Sequence, residues 1–190
     1  MLADPGGRER APGPLRALQE FVNTVDIEHG IDELTGPAAL RAVLGRIDVL
    51  ASDEPLTAAD LDRAVELREA LRGLVLSKDT GRLDEAHRAT LDRAARAAHL
   101  SLRFGEDGEA RVTAEAPGVD GAFGRLLALA YAGMASGEWI RLKACPRDVC
   151  HWIFWDKSRN LSGKWCSMSV CGNRTKTRVY RRRHAGGRAA

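Results

Sequence analysis

Only four cysteines occur in this 190-residue chain, and all lie in one short stretch: Cys145, Cys150, Cys166 and Cys171. Their spacing is C-x4-C, fifteen residues, then C-x4-C. Thiols used for core packing or scattered disulfides would be dispersed, whereas two close pairs can converge on one Zn²⁺ as an all-cysteine tetrahedron. Four intervening residues in each pair, rather than the commoner two, still permit a shared ion. The competing arrangement is two disulfides in a small secreted domain. Residues Met1 to Pro14 are polar and Gly/Pro-rich and lack the apolar segment of a signal peptide. The longest apolar run, Leu126 to Ala135, is too short to span a bilayer. A cytoplasmic location with reduced thiols and no membrane association is therefore expected, and with it one structural zinc ion. A closed set of four thiolates leaves no position for water, so such an ion holds the fold and does no chemistry. His151 and His184 lie nearby, but beside four complete ligands they read as packing or surface residues.

The net charge of +3 conceals an asymmetry. From Arg141 onward 13 Lys/Arg face two acids, a balance of +11; residues 1–140 carry 16 Lys/Arg against 24 Asp/Glu, a balance of −8. An acidic body joined to a basic end predicts a polyanionic partner for that end. Trp152, Phe154, Trp155, Trp165 and Tyr180 make up half of the ten aromatics. A unit of some fifty residues buries too little surface to fold alone. Metal plus a few large apolar side chains is the usual remedy.

The pattern along the chain predicts a mostly α body with one small β-hairpin (α+β). Residues 1–14 read as a disordered leader. Leu15, Leu18, Phe21, Val22 and Val25 fall on one helical face, and Leu40, Val43, Leu44, Ile47 and Leu50 on another after Gly36-Pro37. Thr57 to Asp60 resembles a capping box opening a helix with Leu67, Leu71, Leu74 and Val75. A further helix covers about 84–99. Leu100, Leu102 and Phe104 then alternate with polar residues, as do Ala110, Val112 and Ala114 across Gly105–Gly108, predicting a hairpin. Phe123, Leu126, Leu127, Ala130, Tyr131 and Met134 mark the last body helix.

After Cys145-Pro146 a knuckle closes at Cys150. Residues Trp152 to Asp156 favour a strand, with Lys164 to Cys166 as its expected return strand after a turn at 160–163. Cys171 falls near the start of a final helix reaching toward Arg183. Knuckle, hairpin and helix form a small treble-clef-like four-cysteine finger. The final helix carries Arg174, Lys176, Arg178, Arg181, Arg182 and Arg183, with Arg174, Arg178 and Arg181 on one stripe. Balancing a tetrathiolate zinc centre needs one or two cations; six suggest contact with nucleic acid, duplex DNA first. Asn173, beside Gly172 at the helix start, suits a phosphate or a base edge. Arg159 and Lys164 add to this surface.

The run Cys145-Pro146, Cys150, Trp155 to Asn160, Trp165 to Met168 and Cys171 to Lys176 closely resembles the CGNR zinc-finger family, named for the tetrapeptide that here is Cys171 to Arg174. Phe21 to Asp26, with Leu67 to Arg72, is similar to the ABATE domain that precedes this finger in bacterial proteins. The resemblance implies a stress-induced transcription regulator: an ABATE-like helical domain over 15–140 and a DNA-binding finger over 141–184 with zinc on the four cysteines; residues 185–190, outside it, read as a disordered tail. Asp156 and Ser158 match the hairpin motif, where such residues brace turns.

Asn23, Thr24 and Asp26 interrupt an otherwise apolar helix. With Arg68 and Arg72 they are a candidate pocket for an anionic small-molecule effector. The body is alternatively a dimerisation surface, since specific regulators commonly pair half-sites. Other functions remain open: an RNA-binding or protein-interaction module in which Trp152, Trp155 and Trp165 stack on unpaired bases, or a thiol switch that releases zinc on oxidation. Catalytic residues are not expected, as the chain has no Gly-rich phosphate loop, His/Glu metal motif or nucleophile elbow.

Overall fold

The apolar spacing at the start of the body makes a one-sided helix, α1 (Leu15–Val22), with Leu15, Leu18, Phe21 and Val22 buried. The architecture comes from a computed structural model, described here for residues 7–51 and 53–177. The expected continuation of α1 to Asp26 does not form. Instead Val25–Asp26 (β1) pairs antiparallel with Ile31–Asp32 (β2), with Val25 opposite Asp32 and Asp26 opposite Ile31. Local polar bonds explain the break. Thr24 Oγ1 donates to the Phe21 carbonyl at 2.9 Å, and Asp26 accepts the His29 N–H at 3.2 Å, so both side chains offer the backbone an alternative to the helix.

The other body helices follow the sequence pattern. Helix α2 (Pro37–Arg46) has proline in its first turn, where a missing N–H costs nothing. Helix α3 (Ala58–Thr80) opens on a complete Thr57/Asp60 capping box and ends at Gly81, whose φ of 71° suits glycine. Helix α4 (Glu85–Ala97) is capped by Asp84. Strands β3 (Leu100–Phe104) and β4 (Ala110–Ala114) form the expected hairpin, with Leu102 opposite Val112. Helix α5 (Gly118–Ala135) lies beneath it. At Gly124 a Cβ would sit 2.4 Å from the Ala98 Cβ and 2.6 Å from the Ala114 Cβ, so glycine permits this approach. Leu18, Phe21, Leu40, Leu44, Leu67, Leu71, Phe123 and Leu126 meet in one core. Among the described residues no helix is long and apolar enough to cross a membrane.

A 3₁₀ turn (Glu138–Arg141) leads into β5 (Leu142–Ala144), which pairs antiparallel with β6 (Ile153–Trp155). This corrects the expected strand pairing: β6 returns against the residues before Cys145, whereas 164–166 forms no strand. Period-two alternation then divides one hairpin between two cores. Leu142, Ala144, Ile153 and Trp155 join the body core, while Trp152 and Phe154 face the cysteines.

Residues 7–14, assigned by sequence to a leader, also pack onto this junction. The Trp155 N–H donates to the Glu9 carbonyl at 3.1 Å, Ala11 is buried, and the Arg8 guanidinium lies 4.1 Å from the centroid of the Trp152 ring. Polar Gly/Pro-rich composition conceals this docking, because its bonds are to backbone atoms and one ring face.

Candidate metal centre and its basic flank

The β5–β6 hairpin places Cys145 and Cys150 on one knuckle, tied at its base by the Cys145 N–H donating to the Trp152 carbonyl at 2.9 Å. Cys166 precedes, and Cys171 lies within, a π-helical turn (Met168–Gly172) that passes into a helical segment over 173–177. All four Sγ atoms are buried and lie within 4.8 Å of one another. The Cys150–Cys166, Cys166–Cys171 and Cys150–Cys171 separations are 3.7, 3.5 and 3.7 Å. A disulfide needs about 2.05 Å, and all four cysteines are free. A tetrahedron with metal–sulfur bonds of about 2.3 Å has edges of about 3.8 Å, which these separations fit.

Three of the thiols also shift one another. Hydrogen bonds from Cys150 and Cys166 pull the Cys145 thiol down to about 2. Its hydrogen bond with Cys145 pushes Cys150 up to about 12, and those with Cys145 and Cys150 push Cys166 well above the ordinary range.

Asp156 braces the loop that carries the chain back to Cys166. It is buried, and it accepts from Lys143 Nζ at 2.7 Å, Ser158 Oγ at 2.6 Å, the Ser158 N–H at 3.0 Å and the Gly163 N–H at 2.9 Å. Burial raises its pKa, but Lys143 and the Ser158 donors outweigh it and bring the carboxyl to about 2. A Cβ at Gly163 would fall 2.6 Å from Asp156 Oδ1, which is why that turn holds glycine.

The residues expected to line an effector pocket are bonded across the junction of body and finger. Asn23 binds the finger backbone at both ends of its amide: Nδ2 donates to the Ile153 carbonyl at 2.7 Å, and Oδ1 accepts the Ile153 N–H at 2.9 Å. Arg72 donates to the Val22 carbonyl at 2.6 Å and the His151 carbonyl at 3.0 Å. Arg68 pairs with Asp32 at 2.7 Å, and Glu69 steadies both arginines. Asp26 holds His29. Together these groups join body to finger and fix the base of the β1–β2 hairpin. The sequence signal was real, since polar residues do interrupt an apolar helix, but their partners lie far along the chain.

Glu28, on the turn of that hairpin, was not anticipated. Its carboxylate accepts from Arg147 Nη2 at 3.0 Å and Nη1 at 3.1 Å and from Arg174 Nη1, while Arg147 Nη1 also donates to Cys171 Sγ at 3.2 Å. The hydrogen bond from Arg147 lowers the Glu28 pKa, partly opposed by burial and assisted by the charges of both arginines.

Of the expected nucleic-acid residues, Asn173, Arg174, Lys176, Arg159 and Lys164 are exposed around the centre. Arg178, Arg181, Arg182 and Arg183 lie outside the described residues. The tryptophans do not form a stacking platform: Trp152 is buried under Arg8, and Trp155 and Trp165 are half-buried against the two cores.

Comparison with known families agrees with this division. Residues 15–138 match the ABATE family, described as "Putative stress-induced transcription regulator", and residues 141–184 match the CGNR zinc finger. No curated protein matches the chain.

Proposed function

The chain belongs to the ABATE family and ends in a CGNR zinc finger, and from that premise we propose that it is a zinc-stabilised DNA-binding protein that regulates transcription in the cytoplasm. One structural Zn²⁺ on Cys145, Cys150, Cys166 and Cys171 fixes the knuckle, the loop and the start of the last helix. Duplex DNA then meets Asn173, Arg174 and Lys176, with Arg159 and Lys164 beside them and Arg178, Arg181, Arg182 and Arg183 continuing the basic run. Arginines neutralise phosphates, and asparagine or arginine reads base edges.

The observation that carries this reading is the position of the CGNR tetrapeptide. Its cysteine closes a buried four-sulfur cluster, and its Asn173 and Arg174 emerge exposed on the next helical residues. The body serves as a sensor or oligomerisation domain. Oligomerisation is favoured by Leu102 and Phe104, 54% and 72% exposed on the β3–β4 hairpin.

The test is titration of zinc-loaded protein against duplex DNA at several salt concentrations. Six engaged phosphates give a log–log slope of about −5, and an Arg174→Ala/Arg178→Ala variant gives a shallower one. A salt-independent response sinks the proposal. Selection from random duplexes then supplies the target sequence.

A further inference from the structure

The two guanidiniums that hold Glu28 form a cradle for an oxyanion. Arg147 grips both carboxylate oxygens, and Arg174 adds a second cation to Oε1. Fork-shaped guanidinium donors bind carboxylate and phosphate with the same geometry. Glu28 and Arg147 are largely shielded, with side-chain exposures of 14% and 16%, whereas Arg174 is 54% exposed. Arg147 is shared between this carboxylate and Cys171, while Arg174 opens to solvent on the outer side. Arg147 also donates to Cys171 Sγ, so the cradle is built onto the metal centre itself.

We propose that this Arg147–Arg174 cradle is a binding site for a backbone phosphodiester of nucleic acid, and that Glu28 of the body occupies it as a built-in competitor. This rests on the nucleic-acid reading above and adds a residue, Arg147, and a mode of control to it. The placement of Glu28 suits release. It rides on the turn between two strands of two residues each, flanked by Ile27 and Ile31, 38% and 52% exposed. Arg68 on Asp32 anchors only the base of that hairpin. Displacing the turn therefore frees both arginines without dismantling the body core. The clasp is also where the acidic body meets the basic finger, so the competitor is intramolecular and its effective concentration is high.

The experiment uses the full-length zinc-loaded protein and a fluorescent 20-base-pair duplex of mixed sequence. Glu28→Gln tightens binding by about five- to tenfold and steepens the log–log salt slope by about 1 to 2 as one or two further phosphates are engaged. Glu85→Gln makes the same change of net charge on exposed α4 and leaves affinity and slope near wild type. In the Glu28→Gln/Arg147→Gln double variant the gain disappears, because the cradle is gone. Zinc content by chromogenic chelator verifies folding of each protein, and Glu28→Asp, which keeps the charge but shortens the reach, falls between wild type and Glu28→Gln. A purely structural salt bridge predicts equal or weaker binding for Glu28→Gln. Binding by wild type and Glu28→Gln with equal affinity and slope overturns the cradle while leaving the DNA reading intact. Absence of binding by every variant overturns both.

Discussion

The body and the finger solve the same problem with different materials. The body buries leucine, valine and phenylalanine from four helices, joined by Leu142 and Ile153 of the β5–β6 hairpin: Leu18, Phe21, Leu40, Leu71 and Leu126 are fully enclosed. The finger encloses four sulfurs, Trp152 and Phe154, with Trp165 and Val170 at the edge. Apolar burial contributes about 25 cal/mol per Å², so the larger core gains most from burial, and the smaller one has four converging sulfurs in place of apolar surface. The two meet on the shared β5–β6 hairpin, where hydrogen bonds from Asn23 and Arg72 supply the register.

Removing the metal is the largest perturbation of this contrast. Structural zinc contributes on the order of 10 kcal/mol to the fold of a small finger. Cys166→Ser or strong chelation should abolish zinc binding and expose Trp165, while α1–α5 persist. Far-UV circular dichroism with tryptophan emission checks this; parallel loss of both signals would make the body dependent on the finger.

Asp156 sharpens the comparison from the finger side. Its folded pKa, about 2, lies below the unfolded value of about 3.9. The native state therefore gains stability that is complete above the unfolded pKa and is lost as pH falls toward 2. The difference corresponds to about 2.5 kcal/mol. Asp156→Asn should lower stability by about 2 kcal/mol at pH 7. The gap from wild type should close between about pH 4 and pH 2, zinc release being common to both proteins. A gap that is constant in pH removes the electrostatic account.

At the junction, Asn23→Ala leaves the buried Ile153 N–H without its partner, while Gln19 still reaches the Ile153 carbonyl at 3.1 Å. A cost of about 1–3 kcal/mol follows. The finger should loosen before the body, which amide exchange at Ile153 reads directly; unaltered exchange there would show that the two parts do not rely on this tie.

The smallest effect belongs to the body alone. Thr57→Ala deletes the cap of α3 and should cost about 1 kcal/mol in the thermal unfolding of the body, with zinc affinity unchanged. A drop in zinc affinity would mean that the end of α3 communicates with the finger.

Local chemistry was readable in the chain before any fold was known. The Thr57/Asp60 box, the alternation across 100–114 and the two C-x4-C pairs each act over a few residues, where backbone geometry and ligand spacing dictate the outcome. The β5–β6 pairing was harder to see. Leu142 to Ala144 is only three residues long, and its partner lies beyond the knuckle. Asn23 and Glu28 were opaque for a stronger reason: their partners Ile153 and Arg147 stand 130 and 119 positions away. A polar side chain advertises that it needs a partner but not which one. That choice came from the packing of α1 and α3 against the finger, which tied Asn23 to Ile153 and set an acid of the body on Arg147 and Arg174 of the finger.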